Sequence, residues 1–263
     1  MPACGQQDAE GLSLGMTRDR IRADRLLVER GHFESRARAQ GAIAAGLVRA
    51  DGRVVARASD LVAPDARIEA EAPHPFVSRG GLKLVAALDA FGFAPAGLTC
   101  LDVGASTGGF TDALLGRGAA YVYAVDVGRD QLHASLRTHP RVTSLEGRDA
   151  RSLDAATIPV APMLVAIDVS FISLRLVVPA VATLMGEGAA LAALVKPQFE
   201  AGRDRIGRGG IVRDAAVHDA VCAEIRDFIA GVGFSILGLI PSPVTGGDGN
   251  REFLIGARRK AVP

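Results

Sequence analysis

From residue 99 onward, short apolar runs alternate with amphipathic stretches of helical periodicity. The apolar runs predict strands at 99–103, 121–125, 142–145, 163–167, 189–195, 234–239 and 252–255. The remaining stretches predict helices at 81–91, 109–115, 131–137, 174–185 and 215–230. Because strands that alternate with helices are typical of a parallel sheet covered on both faces, we predict an α/β fold class. Its sheet is expected to be doubly wound, mostly parallel, seven-stranded and Rossmann-like, with the last two strands forming a hairpin and one edge strand running antiparallel.

The pattern before residue 72 has shorter elements. Two helices are predicted within 20–48, the first ended by Gly31 and the second capped by Ser35. A turn at Asp51-Gly52 predicts a hairpin. The second helix and the strands of this part are predicted at 36–45, 47–48, 54–55 and 68–70. These elements indicate a small α+β domain.

Changes in pattern and composition divide the chain into four parts. The first residues have few large apolar side chains and are rich in Gly, Gln and Ser, which is typical of a disordered leader. Pro73 and Pro75 stop regular structure between the two patterns. The predicted parts are a leader at 1–18, a small module at 19–72, a linker at 73–79 and a large domain at 80–259.

The small module differs from the chain as a whole in its charge. The whole 263-residue chain carries a net charge of +1, which says nothing about its partners. Residues 18–57, however, hold ten arginines against five acidic residues, a balance of +5, whereas 58–75 has four acidic residues against one arginine, a balance of −3. Arginine pairs with phosphate and stacks on bases, so the module is predicted to bind RNA. The candidate RNA-binding residues are Arg22, Arg25, Arg36, Arg38, Arg49 and Arg53.

Cysteine usage and the longest apolar stretch exclude several classes. Cys4, Cys100 and Cys222 are far apart and have no metal-binding spacing, so neither disulfides nor a zinc site is predicted. The N-terminal residues include acidic side chains and no apolar run, unlike a secretory signal. The apolar stretch 174–195 is interrupted by Pro179 and by further polar and glycine residues, unlike a membrane span. We predict a cytoplasmic protein without a metal or a membrane partner.

The clearest motif is Leu-Asp-Val-Gly-Ala-Ser-Thr-Gly-Gly-Phe-Thr-Asp at 101–112. It joins a predicted strand to a predicted helix, at the edge of the sheet where doubly wound folds bind ligands. Gly104 is expected to let the backbone approach a ligand closely, and Gly108 and Gly109 to allow the sharp turn into the helix. The spacing fits neither a dinucleotide fingerprint nor a P-loop, which disfavours nicotinamide cofactors and ATP.

Two acidic residues follow the next two strands. Asp126 closes the second strand, where a carboxylate can accept hydrogen bonds from ribose hydroxyls. Asp149 follows the third strand, where an adenine amino group could donate to it. Together with the glycine-rich loop, these residues predict a nucleoside-containing ligand.

Several further motifs make a family resemblance possible. They are Asp-Val-Ser-Phe-Ile-Ser at 168–173, Leu-Val-Lys-Pro-Gln-Phe-Glu at 194–200 and Gly-Arg-Gly-Gly-Ile-Val-Arg-Asp at 207–214. With the glycine motif and Asp126, they closely resemble the TlyA family, also called hemolysin A, which is similar to FtsJ-type ribose 2′-O-methyltransferases. The segments Arg-Ala-Asp-Arg-Leu-Leu-Val at 22–28 and Ser-Arg-Ala-Arg-Ala at 35–39 resemble the RNA-binding module named after ribosomal small-subunit protein four.

The resemblance implies S-adenosylmethionine as cofactor and a ribose 2′-hydroxyl of ribosomal RNA, that of a cytidine, as the methyl acceptor. It implies ribosomal RNA or ribosomal subunits as partners, and we expect a monomer. The candidate cofactor-binding residues are Gly104, Ala105, Ser106, Gly108, Gly109, Phe110, Asp126, Val127, Asp149 and Ala150.

The family also implies a catalytic set of two lysines and two acids, which corresponds here to Lys83, Asp168, Lys196 and Glu252. Asp168 and Lys196 follow directly on apolar strands, so both side chains are expected at the carboxyl edge of the sheet. A lysine there can stabilise the developing alkoxide as an ammonium or take the hydroxyl proton as a neutral amine. Two neighbouring lysines would lower the pKa of one of them, which favours the second role.

Two other classes stay open from the sequence. The hemolysin name suggests a membrane-acting protein, although no span or long amphipathic stretch supports that class. A non-catalytic ribosome assembly factor could use the same folds for binding alone, although all four catalytic-type residues are present.

Basic side chains in the glycine-rich stretch after Lys196 could fold over a bound nucleotide.

Overall fold

The computed structural model describes residues 20–246 and 248–261, so the predicted leader lies outside the described residues. The chain forms two compact units, divided between Pro75 and Phe76. Each unit has a hydrophobic core of its own.

The N-terminal unit is a small α+β domain, as predicted. Its elements are β1 (Ile21–Arg22), α1 (Ala23–Glu29), α2 (Arg36–Ala44), β2 (Val48–Ala50), β3 (Arg53–Val54), β4 (Leu61–Val62) and β5 (Ile68–Ala70). Ser35 caps α2 by accepting a hydrogen bond from the Arg38 N–H. Asp51 and Gly52 form the hairpin turn with φ values of 49° and 76°. The antiparallel pair of β1 and β4 was not predicted, because two-residue strands leave no periodicity in the sequence.

The C-terminal unit contains the seven-stranded sheet. Its helices are α3 (Gly80–Phe91), α4 (Gly109–Gly116), α5 (Ala134–Arg137), α6 (Leu174–Ala182), α7 (Pro197–Glu200) and α8 (Ala215–Gly231). Its strands are β6 (Thr99–Val103), β7 (Tyr121–Asp126), β8 (Val142–Glu146), β9 (Leu164–Ile167), β10 (Ala190–Val195), β11 (Phe234–Pro241) and β12 (Phe253–Arg259). The strand order is β11-β12-β10-β9-β6-β7-β8, and the pairs among β6 to β10 are parallel.

Both faces of the sheet are covered, which confirms the doubly wound prediction. Leu101 of β6 belongs to a core cluster with Val177 of α6 and Ile225 of α8. Its neighbour Cys100 belongs to the opposite cluster, which includes residues of α3 and α4. Successive strand residues point to opposite faces, so the fully apolar strands follow from burial on both sides.

The prediction of an antiparallel edge strand was wrong in one respect. The antiparallel strand is β12, which lies between β10 and β11, while β11 forms the edge and runs with the parallel strands. The register pairs Val195 with Phe253. Because all six residues of β10 are buried, this strand needs a neighbour on each side, and β12 supplies one. The start of β12 therefore lies at the carboxyl end of β10.

The helix predicted at 131–137 is shorter in the structure, where α5 begins at Ala134. The backbone N–H groups of Gln131 and Leu132 donate instead to the carboxylate of Glu146, at 2.6 and 3.0 Å. A side chain from β8 thus holds the segment that precedes α5. These backbone donors lower the pKa of Glu146.

Candidate active site

The glycine-rich loop after β6 is fixed by close packing. Gly104 has a φ of 84°, and a Cβ there would lie 2.2 Å from the backbone oxygen of Asp168. A Cβ on Gly109 would lie 2.2 Å from Oγ of Ser78. The missing side chain of Gly104 thus admits the backbone that follows β9, and the close approach of a ligand to Gly104 remains a prediction. Gly108 precedes α4 with a φ of 100°, in agreement with the predicted sharp turn.

Asp126, the last residue of β7, anchors the same loop. Its two carboxylate oxygens accept hydrogen bonds from the N–H groups of Ser106 and Gly128, both at 2.7 Å. Ser106 has a φ of 47°, an unusual conformation for a residue with a side chain. Each carboxylate oxygen has a second lone pair, so Asp126 can still accept hydrogen bonds from ribose hydroxyls.

An open cleft lies beside this loop. Its lining comprises Ser78, Arg79, Gly80, Lys83, Gly104, Ala105, Ser106, Thr107, Gly109, Phe110, Asp168 and Thr245. It thus brings together seven predicted site residues, which are Lys83, Gly104, Ala105, Ser106, Gly109, Phe110 and Asp168. The backbone of the glycine loop forms one wall, with little side-chain bulk, and this fits a ligand that approaches the main chain closely.

The other predicted cofactor residues lie outside this lining. Val127 is exposed, and Ala150 packs into the core. Asp149 caps a short 3₁₀ turn, and its carboxylate lies 2.6 Å from the guanidinium of Arg151, which lowers the pKa of Asp149. Its role towards an adenine ring remains a prediction.

The four predicted catalytic residues form two close ion pairs. Lys83 of α3 donates from Nζ to Oε2 of Glu252 at 2.6 Å, with both side chains largely buried. Lys196, directly after β10, has its Nζ 2.6 Å from Oδ1 of Asp168, directly after β9. The Lys196 ammonium also donates to Oγ of Ser170 at 2.9 Å. Each lysine therefore has its own carboxylate partner.

Two aromatic residues near the Lys196–Asp168 pair were not predicted from the sequence. Phe171 is 90% exposed and has a φ of 63°. Its ring centroid lies 5.0 Å from that of Phe199, and Nζ of Lys196 is 6.0 Å from the Phe199 ring. An exposed phenylalanine in a strained backbone conformation indicates a functional constraint. The position of Phe171 in the motif directly after Asp168 was the available signal.

The carboxyl group of Asp102 is fully buried behind the glycine loop. Asp102 lies in β6, and its Oδ2 accepts a hydrogen bond from the Thr111 hydroxyl at 2.6 Å. Burial, with smaller contributions from the carboxylates of Asp168 and Asp126, raises the pKa of Asp102 to about 7. Asp102 joins the strand to α4 and thereby stabilises the turn between them.

The glycine-rich stretch after Lys196 is tied down at one end. The buried amide of Asn250 accepts from the N–H of Val212 at 3.0 Å and donates to the carbonyl of Gly210 at 3.1 Å. His218 also contacts the Val212 carbonyl, at 3.0 Å. This end of the stretch is therefore held beside Asn250, which lies two residues before Glu252 and close to the start of β12. Closure over a nucleotide remains a prediction.

The predicted RNA-binding arginines of the N-terminal unit are not equivalent. Arg22 and Arg36 both contact the buried carboxylate of Asp24. Arg25 forms an exposed pair with Glu29 at 2.6 Å. Arg49 donates to the Gly52 carbonyl at 3.2 Å, and Arg53 is exposed in β3. The remaining candidate, Arg38, is half-buried on α2.

In the part of the chain that the structure describes, no helix is long and apolar enough to cross a membrane.

Comparison with known proteins places these features in a wider context. The model of the FtsJ-like methyltransferase family matches residues 76–259, and that of the S4 domain matches residues 21–68. The Bacillus subtilis protein YqxC, provisionally named an rRNA methyltransferase, is 45% identical over 242 residues, which cover 91% of this chain and 86% of YqxC. The Mycobacterium tuberculosis 16S/23S rRNA (cytidine-2′-O)-methyltransferase TlyA is 42% identical over 241 residues, with coverage of 91% and 90%.

A solved structure agrees with these matches. It is a Streptococcus thermophilus protein provisionally named a hemolysin, 41% identical to this chain, with a TM-score of 0.74. The match covers 94% of this chain and 90% of that protein.

Proposed function

The chain belongs to the FtsJ-like methyltransferase family and carries an S4 domain, as the TlyA resemblance implied, and from this membership we propose its reaction. It transfers a methyl group from S-adenosylmethionine to a ribose 2′-hydroxyl of a cytidine in ribosomal RNA. The observation that carries the proposal is the pairing of Lys83 with Glu252 and of Lys196 with Asp168, beside the glycine-loop cleft.

The cleft supplies what the cofactor requires. The backbone of the loop from Gly104 to Ser106 would lie against it, and the Asp126 carboxylate would accept hydrogen bonds from its ribose hydroxyls. Asp149 would accept from the adenine amino group. The cofactor supplies a methyl group on a sulfonium, which is already activated for transfer, so the protein's tasks are positioning and proton management.

The lysine–carboxylate pairs fit those tasks. The ribose 2′-hydroxyl is a weak nucleophile, and a cation near its oxygen stabilises the charge that develops when the proton leaves. Lys196 is placed rigidly for this role, because β10 ends one residue earlier, Pro197 follows and Asp168 holds the ammonium at 2.6 Å. Lys83 lines the cleft and Glu252 orients it. In-line placement of the two reacting groups supplies much of the rate.

Recognition of RNA is divided between the two units. The basic S4 module would contact phosphates through its arginines. In the catalytic unit, Phe171 offers an exposed ring beside the Lys196–Asp168 pair, on which an extruded base can stack. We propose ribosomal RNA within ribosomal subunits as the partner, a monomer as the working form, and the cytoplasm as the place of action.

The proposed reaction is tested by mapping methylation directly. Purified chain, S-adenosylmethionine and unmodified 16S or 23S rRNA are incubated, separately as naked RNA and as ribosomal subunits. Mass spectrometry of nuclease fragments is expected to show one methyl group on a cytidine ribose, and none without cofactor. A methylated base instead of a ribose would contradict the proposal.

Two other outcomes would move the protein to one of the classes left open by the sequence. Tight binding of rRNA without any methyl transfer would favour a non-catalytic assembly factor. Lysis of erythrocytes by the purified chain, without RNA modification, would favour a membrane-acting hemolysin.

A further inference from the structure

The N-terminal unit contains a buried carboxylate that accepts hydrogen bonds from three side chains. Asp24, in α1, has no solvent-exposed surface. Arg22 donates to it from Nε and Nη2, at 3.1 and 3.2 Å. Arg36 donates from the same two positions, at 3.2 and 2.7 Å, and Gln40 donates from its amide at 2.8 Å. One acidic side chain thus joins the residue before α1 to the first and second turns of α2.

The two guanidiniums are oriented as well as neutralised. Each uses its Nε–Nη2 edge for Asp24, and a guanidinium has five N–H donors in a fixed plane. The Nη1 end of each group therefore makes no contact with Asp24. The side chains of Arg22 and Arg36 stay 47% and 58% exposed, although their common partner is inaccessible to water. Both guanidiniums are thus fixed to one carboxylate and remain partly exposed at the surface.

We propose that Asp24 is a positioning residue for RNA binding, which holds Arg22 and Arg36 in the geometry that grips the phosphate backbone. This inference rests on the proposed function, because it requires the module to bind RNA. Without Asp24 the two like charges would repel each other and their long side chains would sample many rotamers. Fixing them beforehand lowers the entropic cost of binding a phosphate pair.

The proposal predicts different effects on two kinds of polyanion. Asp24→Asn removes a negative charge, so attraction to any flexible polyanion should increase or stay the same. Binding to folded RNA, which needs two guanidiniums in fixed positions, should weaken because the neutral amide cannot hold both. Loss of a structural residue alone would weaken both kinds of binding together.

The experiment compares full-length wild type, Asp24→Asn and a matched control, Glu29→Gln. The control removes the same charge from the neighbouring exposed pair with Arg25 but leaves the buried carboxylate intact. Filter binding measures affinity for 23S rRNA, and retention on heparin measures affinity for a flexible polyanion. We expect Asp24→Asn to weaken rRNA binding by about tenfold with equal or later elution from heparin, and Glu29→Gln to weaken neither. Unchanged rRNA affinity in Asp24→Asn, or parallel losses on both polyanions, would overturn the proposal.

Circular dichroism checks that Asp24→Asn is folded, and a second variant covers the case in which it is not. Replacing both Arg22 and Arg36 by Lys keeps the charge but loses the two-donor edge that meets Asp24. This double variant should also lose rRNA affinity and keep heparin retention, whereas wild-type rRNA binding would overturn the proposal. A wild-type chain that neither binds nor methylates rRNA would instead show that the proposed function is wrong.

Discussion

Each unit of the molecule has an aspartate that is inaccessible to water, and the two differ in depth and in their partners, since the arginines that cover Asp24 are themselves about half exposed. Asp24 in the N-terminal unit faces two arginines, and the hydrogen bond from Arg22 is the largest cause that holds its pKa well below the usual range. Asp102 in the catalytic unit has the Thr111 hydroxyl as its side-chain partner, and burial raises its pKa to about 7. Burial alone therefore does not decide the charge of a carboxyl group, because cationic partners offset the cost of desolvation.

The proposed catalytic pairs lie between these two cases. Lys83 with Glu252 and Lys196 with Asp168 combine one cation with one carboxylate, and all four side chains are at least largely buried. The N-terminal cluster leaves its cations exposed, as long-range attraction of phosphates requires. The catalytic unit withdraws its cations from water, where fixed charges act more strongly on a reacting group. In the proposed function, the exposed cations bind RNA and the buried cations assist methyl transfer.

The largest expected effect tests the catalytic side of this comparison. Lys196→Ala should reduce methyl transfer by about 10²–10⁴-fold, the usual value of positioned acid–base assistance. Binding of rRNA and of S-adenosylmethionine should persist, because the interaction that is removed is made mainly in the transition state. Single-turnover transfer of labelled methyl groups measures the rate, and full activity would refute the catalytic assignment.

Lys196→Arg separates the two roles of the lysine. Arginine keeps the positive charge but stays protonated at neutral pH. Turnover near that of wild type would exclude proton abstraction by Lys196 and leave charge stabilisation.

The next effect concerns stability. Glu252→Ala leaves the ammonium of Lys83 buried without its partner at 2.6 Å, which should cost about 3–5 kcal/mol of unfolding free energy. The double variant Lys83→Met with Glu252→Leu should recover most of that loss, because it removes both charges. Urea unfolding of the full chain measures both, and equal stability of Glu252→Ala and wild type would mean that water reaches the pair.

A third effect contrasts the two buried aspartates by pH. The raised pKa of Asp102, about 7, means that the folded state keeps a proton that the unfolded state releases near pH 4. Its contribution to stability is therefore present below pH 4 and is lost as the pH rises to about 7, by at most about 1.4 kcal/mol per pH unit. Asp102→Asn should abolish this slope. Urea unfolding between pH 4.5 and 8 that shows the same slope in both proteins would contradict the assignment.

The depressed pKa of Asp24 acts in the opposite sense, because its contribution to stability is present above about pH 4 and is lost as the pH falls below that value. No decline from this residue is thus expected over the range in which Asp102 acts.

The smallest expected effect tests RNA binding by the N-terminal unit. Removing one arginine that binds a phosphate should lower the salt slope of RNA binding by about 0.9. Arg38→Ala should show such a change, whereas Arg25→Ala should show less, because Glu29 already offsets the charge of Arg25 at 2.6 Å. Filter binding of rRNA over a range of salt concentrations measures the slopes. Equal slopes for both variants and wild type would place the RNA on another surface of the module.

Much of the catalytic unit follows from the sequence alone. The apolar runs at 99–103 and 189–195 predicted β6 and β10 to within one residue. Asp168 and Lys196 could be placed at the carboxyl edge because each directly follows a buried strand. A strand that is buried on both faces consists of consecutive apolar residues, and such a run can be read from the sequence alone.

Other features depended on the tertiary structure. The insertion of β12 beside β10 brings Glu252 to Lys83, 169 residues earlier in the chain, and strand order leaves no mark in local periodicity. The packing partner of Gly104 was also not predictable, because the neighbour that fills the space of its missing side chain is the backbone of Asp168, which follows another strand. Arg22 and Arg36 are separate charges in the sequence, and only the fold joins them through Asp24. The composition of the chain determines which charges are present, whereas their energies depend on burial and on partners that only folding brings within about 3 Å.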